Sequence, residues 1–210
     1  MERMAEKFVK NGGELHFNST LTAIETNGTT VTGLVFGEQK VVVAPEDVVV
    51  STMPLPRLAE LLGVPNELKY RGAKLIFVAL NKAQAIAGLP SFLYYDDPEI
   101  IFHRVSEQKK FSAFGFPEDK TLLSLEVSYT LDDERDHLSD RELIERGVQD
   151  LITVGLTTKE EVFDTKVVSL PYVYPLLVKG TEQELTKVRG KVASHKQIYL
   201  IGTGGDYHYA

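Results

Sequence analysis

Arg104 stands in the segment His103-Arg104-Val105-Ser106-Glu107, beside a predicted strand. A planar guanidinium there can hold a substrate phosphate or carboxylate through paired N–H donors. A surface ion pair from Arg104 to Glu107, worth under about 1 kcal/mol, accounts for the same residues. Leu170 to Leu176, LPYVYPL, sets Tyr172 and Tyr174 on one face of an extended segment. Their rings can line a pocket with hydroxyls turned to ligand oxygens, and ordinary core packing explains the spacing equally. The last stretch runs from apolar Ile198 to Ile201 straight into Gly202, Gly204 and Gly205. This is the pattern of a buried parallel strand emptying into a loop whose backbone amides approach a phosphate. A final strand with a flexible glycine tail fits it as well. A phosphate loop needs a helix start behind it, yet the sequence stops at Ala210, so the expectation is a piece of a larger protein.

Other chemistries find little footing. The five histidines, His16, His103, His137, His195 and His208, have no partner at metal-ligand spacing, and there is no Cys. No Gly-x-Ser-x-Gly elbow or Gly-Lys-Ser/Thr phosphate loop occurs. The acidic run Asp132-Asp133-Glu134 with Asp136 lacks the mid-loop glycine of a calcium loop and reads as a solvated loop. Asp96-Asp97-Pro98 reads as a turn.

Composition narrows the class further. A chain of 210 residues with 43% hydrophobic side chains can bury a real core. A net charge of −7 and no Lys/Arg cluster argue against nucleic acid or an anionic membrane as partner. No apolar run approaches the roughly 18 residues of a membrane span, and Met1 to Lys10 is amphipathic rather than a signal peptide. A cytoplasmic location is expected.

The elements that must position these groups follow from periodicity. Met1, Met4, Ala5, Phe8 and Val9 recur at helical spacing, and Asn11-Gly12-Gly13 stops that helix. The period then changes to two, predicting a short strand over Leu15 and Phe17 and a hairpin about Asn27-Gly28. A strand over Val41–Val43 follows. Val48-Val49-Val50, apolar throughout, reads as a strand buried on both faces at the centre of a sheet. Pro56 to Leu62 makes a short helix ended by Gly63. Strands are predicted over Leu75–Leu80, Phe92–Tyr95, Ile100–His103, Phe111–Phe116 and Thr121–Tyr129. The capping box Ser139 to Glu142 opens a helix through Ile152, and Val167–Leu177 is a strand broken by Pro171 and Pro175. Thr181 with Glu184 caps a last helix, which delivers the chain to the terminal strand.

The organisation is discontinuous, with residues 1–65 and 196–210 forming one sheet-and-helix layer and residues 66–195 inserted between them. The expected fold class is α+β: an α/β remnant of a dinucleotide-binding domain plus a mixed β-sheet domain flanked by helices. The strand and glycine turn that open a dinucleotide fold are absent from the first segment.

Taken together, the chain resembles the C-terminal part of the FAD-dependent amine oxidase superfamily, especially its protoporphyrinogen-oxidase-like and UDP-galactopyranose-mutase-like branches. Met1 to Ile24 is similar to the family's helix and strand after the substrate-entry region, with Leu21 where the backbone faces the FAD adenine. Ser51-Thr52-Met53-Pro54 is similar to the return strand to the FAD domain. Arg104, Glu107 and Phe111 are similar to an R-x-x-E-x-x-x-F element, and Tyr172 to Pro175 to a Y-x-Y-P element. Gly202 to Tyr209 is similar to a closing G-R-x-G-x-Y-x-Y, although Thr203 replaces its Arg.

The resemblance implies FAD bound near Leu21, Thr52, Gly202, Thr203, Gly204 and Gly205, and substrate contacts from Arg104, Tyr172 and Tyr174. With the G-x-G-x-x-G unit absent, this polypeptide alone is expected to bind FAD weakly or not at all. The expected partners are a small-molecule substrate, a dinucleotide-binding segment from a longer parent, and further copies in a homo-oligomer. Three functions stay open. The first is hydride transfer from a small organic substrate to flavin. The second is a sugar-nucleotide mutase with Arg104 and the tyrosines as a diphosphate clamp, and the third is a non-catalytic binding module.

Overall fold

The computed structural model describes residues 2–130 and 133–208. Its contacts gather into two units, one built from residues up to Leu68 and from Leu177 onward, the other from Lys69–Leu176. Met1, Asp132 of the acidic run and Tyr209 of the closing motif lie outside the described residues.

The first unit opens with helix α1 (Glu2–Lys10), stopped by Gly12 at φ +88°. No residue of α1 is buried, and its apolar Met4, Phe8 and Val9 stay exposed. The strand expected over Leu15 and Phe17 does not form, and Phe17 is 78% exposed. Alternation alone cannot make a strand where no neighbour completes its ladder. The hairpin does form: β1 (Ala23–Asn27) and β2 (Thr30–Phe36) are antiparallel, with Gly28 at φ +62° in the connecting turn. Strand β3 (Gln39–Val42) adds to β2. Next come β4 (Val49–Ser51) and α2 (Leu55–Leu61), the helix stopped at Gly63 with φ +67°.

Unit two is a five-stranded sheet with its core between one face and a long helix. Its elements are β5 (Tyr70–Leu80), β6 (Phe92–Tyr94), β7 (Arg104–Glu107), α3 (Gln108–Phe111), β8 (Thr121–Tyr129), α4 (Glu134–His137), α5 (Asp140–Thr153) and β9 (Val162–Pro175). The strand order is β6-β7-β8-β5-β9, antiparallel at every pairing. Along β5 and β8 every second residue, Ile76, Val78 and Leu80 with Leu123, Leu125 and Val127, joins a core completed by Leu143 and Leu151 of α5. Gly147 lets α5 close on this sheet, since a Cβ there would lie 2.9 Å from Ile76 Cδ1 and 3.0 Å from Leu125 Cδ1. The Ser139–Glu142 capping box starts α5 as the sequence predicts, with Ser139 N donating to Glu142 Oε2 at 2.9 Å.

Three expectations for this unit change. Ile100–His103 is a buried loop rather than a strand, because Ile100, Ile101 and Phe102 enter the core without pairing. Phe111–Phe116 holds the end of α3 and a turn, leaving Phe114 94% exposed. The acidic run is partly helical, since the Asp133 carboxylate accepts from Arg135 N at 3.0 Å and so caps α4.

The chain returns to the first unit through α6 (Thr181–Ala193), β10 (Ile198–Leu200) and α7 (Gly202–Asp206). Sequence spacing put this return at residue 196. In the structure α6 already belongs to the first unit, because it packs on β10 and buries Val188 and Val192. Thr181 is the first helical residue and not the cap, its hydroxyl accepting from Val178 N at 2.9 Å. Strand β10 pairs with β4 in parallel, and these two strands make the whole sheet among the described residues. Val48 to Val50 is therefore not a buried central strand: Val48 is 61% and Val50 55% exposed. Two strands alone leave side chains uncovered that a larger doubly wound sheet would bury.

The Gln197 side chain ties the two sheets of this unit together, accepting from Val31 N at 2.9 Å and donating to Ala44 O at 2.9 Å. The whole is an α+β fold. No helix of the described residues is long and apolar enough to cross a membrane, and none of their His, Asp and Glu side chains cluster as a metal site.

Candidate functional site

Strand alternation that sends Ile76 and Leu125 into the core sends their neighbours to the opposite face, where unit two carries a cavity of about 550 Å³. Ala73 and Leu75 of β5, Arg104 and Ser106 of β7, Ser124 and Glu126 of β8, and Leu170, Val173 and Tyr174 of β9 line it. Phe92, Gln108 and Phe111 form the rest of its wall. A mostly apolar concavity with a few convergent polar groups is the usual form of a small-molecule site.

Glu126 organises the polar part. Its Oε2 takes a hydrogen bond from Arg104 Nη2, and its Oε1 accepts from the Tyr174 hydroxyl at 2.6 Å, with His103 Nε2 at 3.4 Å. Arg104 Nη1 reaches the Tyr94 hydroxyl at 3.4 Å, with the guanidinium 5.9 Å from that ring's centroid. Ser128 Oγ lies 3.2 Å from His103 Nδ1. Burial alone would raise the Glu126 carboxyl, but hydrogen bonds from His103 and Tyr174 and the adjacent Arg104 outweigh it and hold the group at about 2. Burial first, and then its bond to the Glu126 carboxylate, pushes the Tyr174 phenol up to about 12. At neutral pH the cluster is a carboxylate, a guanidinium and a neutral phenol.

The Arg104 partner differs from the one that spacing suggests. Glu107, three residues on, projects from the other face of β7 and is 1% exposed. Its carboxylate accepts from Ala85 N at 2.8 Å, Ile86 N at 2.9 Å and Thr121 Oγ1 at 2.8 Å, fastening the loop that follows β5. Glu126 is the functional residue that sequence reasoning missed. The signal was present in Thr121 to Tyr129, where Ser124, Glu126 and Ser128 recur at period two within an apolar strand.

Tyr172 and Tyr174 part company. Tyr174 lines the pocket, whereas Tyr172 meets Tyr70 edge-on, ring centroids 5.6 Å apart, and is not among the lining residues. Register explains the separation. Arg71 pairs with Tyr174 and Ala73 with Leu170, so residues 171–173 bulge out of the ladder.

In the first unit the structure brings Thr52 together with the terminal glycines. Parallel β4 and β10 deliver Thr52 and Gly202 at the same ends of their strands, the position where open α/β sheets take ligands. The glycine loop of the sequence reading is a short helix, α7, entered through Gly202 at φ +75°. A Cβ on Gly204 would lie 2.9 Å from the Thr52 carbonyl oxygen, and one on Gly205 3.3 Å from Leu200 Cβ. These two glycines thus serve close packing within the chain itself. Thr52, Gly202 and Thr203 are exposed beside them. Leu21 lies half-buried in the segment entering β1, which belongs to a different sheet.

Comparison with known proteins agrees with this architecture. No curated protein matches the chain. A crystal structure of reduced UDP-galactopyranose mutase is similar at a TM-score of 0.79 and 18% identity, over 99% of this chain and 45% of that one. A putative protoporphyrinogen oxidase from Exiguobacterium matches with a TM-score of 0.72 and 21% identity, over 97% and 46%. An oxidoreductase from Methanosarcina mazei follows, with a TM-score of 0.59 and 14% identity, over 97% and 48%. The chain therefore spans under half the length of these structures, and at such identities the likeness is one of fold. The family model for flavin containing amine oxidoreductase matches residues 1–204. The chain belongs to the flavin containing amine oxidoreductase family.

Proposed function

We propose that this chain is the substrate-holding part of an FAD-dependent oxidoreductase, with the pocket of unit two taking a small organic molecule for oxidation. The observation that carries the reading is that pocket, where Arg104 and Tyr174, both fixed by Glu126, stand among Leu75, Phe92, Phe111 and Leu170. The polar pair orients a substrate and the apolar wall keeps water from it. Tyr172 serves as a further substrate contact from outside the described cavity.

Thr52, Gly202 and Thr203 suit the edge of an FAD site. They are exposed at the carboxyl ends of two parallel strands, and Gly204 and Gly205 let the main chain run close there. These five residues and Leu21 would hold the cofactor, together with a dinucleotide-binding segment from a longer parent. Bound flavin would supply the hydride acceptor. Titration of the full-length parent with FAD tests the proposal: a yellow, stoichiometric complex is expected, and its failure to form would sink the idea.

A further inference from the structure

We infer that Glu126 is a specificity-determining residue of the unit-two pocket: by cancelling the charge of Arg104 it selects an uncharged ligand, an apolar body bearing hydroxyl or carbonyl oxygens, over a phosphate or diphosphate. The inference rests on reading this pocket as the substrate site. Among the described residues that line it, Arg104 and Glu126 are the only charged ones. They are directly opposed in the β7–β8 register and joined by a charged hydrogen bond, so the wall carries no net charge.

Both oxygens of Glu126 and both terminal nitrogens of Arg104 are also engaged, while Arg104 Nε is buried with no hydrogen-bond partner among the described residues. Both Glu126 oxygens have partners, one facing Arg104 and the other Tyr174 and His103. Arg104 Nη1 is turned to Tyr94. A diphosphate entering here would give up its hydration to meet a guanidinium that is already neutralised, which is an unfavourable exchange. What the pocket offers without that cost is the hydroxyls of Ser106 and Ser124 and the amide of Gln108, set among four large apolar side chains. Such groups match neutral oxygens.

Inorganic pyrophosphate is the probe, its binding to the full-length protein measured by titration calorimetry. Wild type is expected to show no saturable binding at millimolar concentration. Glu126→Gln, which keeps the shape and bares the Arg104 charge, is expected to bind at least about tenfold more tightly. The gain should vanish in the double variant Glu126→Gln/Arg104→Met. Equal or tighter binding by wild type, or a gain that survives in the double variant, overturns the inference. If Glu126→Gln does not fold, Arg104→Met supplies the converse test: with the guanidinium gone from Glu126 Oε2, benzylammonium should bind where wild type takes none, and no difference between the two overturns the inference. A failed FAD titration would defeat the functional proposal without touching this result, because pyrophosphate reports on pocket charge alone.

Discussion

Arg104 and Glu126 stand directly opposite one another across the β7–β8 ladder, and their side chains meet on the pocket face of the sheet. An exposed cross-strand pair of this kind contributes well under about 1 kcal/mol. Here the Glu126 side chain is only 7% exposed and also receives the Tyr174 hydroxyl, so more depends on it. Glu126→Ala would remove the acceptor that a partly buried guanidinium and a half-buried phenol share. The expected loss is about 3–5 kcal/mol in urea denaturation, with Glu126→Gln losing less because its amide oxygen still accepts. Equal stability of wild type and Glu126→Ala would show that the cluster contributes nothing to the fold.

The same cluster sets a pH window. The Glu126 carboxyl falls from 4.5 to about 2 on folding. Its stabilisation is therefore fully present above pH 4.5 and is lost as pH drops toward 2, for a total of roughly 3 kcal/mol. The Tyr174 phenol rises from 10.0 to about 12, so stability also declines as pH climbs through that interval, where the folded form resists ionisation. Denaturant midpoints measured across these ranges should slope at both ends in wild type. Glu126→Gln should flatten the acid limb, and an acid limb unchanged in that variant would assign it to other carboxylates.

At the other unit, Gly204→Val would drive a branched side chain into the Thr52 carbonyl, 2.9 Å from the first added carbon. Backbone cannot yield as a flexible side chain does. The expected cost is about 1–3 kcal/mol, with a lower thermal midpoint and weaker retention of FAD by the parent. A variant with unaltered midpoint and cofactor content would mean that α7 and the Thr52 turn do not need their present approach.

Gln197→Leu removes the acceptor of Val31 N and the donor to Ala44 O at one stroke. Val31 is fully buried, so its amide finds no water in exchange. Destabilisation of about 1–3 kcal/mol is expected, with amide hydrogen exchange at Val31 accelerated before that of β5 and β8. Protection at Val31 equal to wild type would show that another group satisfies the amide.

How far the sequence discloses this molecule depends on the range of the signal. Local signals read true: the Gly12 stop of α1, the Gly28 hairpin and the Ser139–Glu142 box each depend on residues a few positions apart. The failures come where pairing partners decide. Phe17 alternates like a strand residue and Val48 to Val50 is apolar like a core strand, yet neither finds neighbours that would enclose it. Ile100 to Phe102 is apolar for the opposite reason, being buried without a ladder. In the candidate site, Arg104 and Tyr174 were visible from residue type and spacing. Glu126 was not, because its meaning arises from a register that joins it to positions 22 residues before and 48 residues after it.

Pro171 and Pro175 lie on β9, the fourteen-residue strand at the border of the unit-two sheet. A long free border offers a row of amides on which a second molecule can template itself. Two prolines and the outward kink at 171–173 interrupt that row. Replacing both is expected to raise self-association on concentration, read by light scattering, and unchanged scattering would show that the border needs no such interruption.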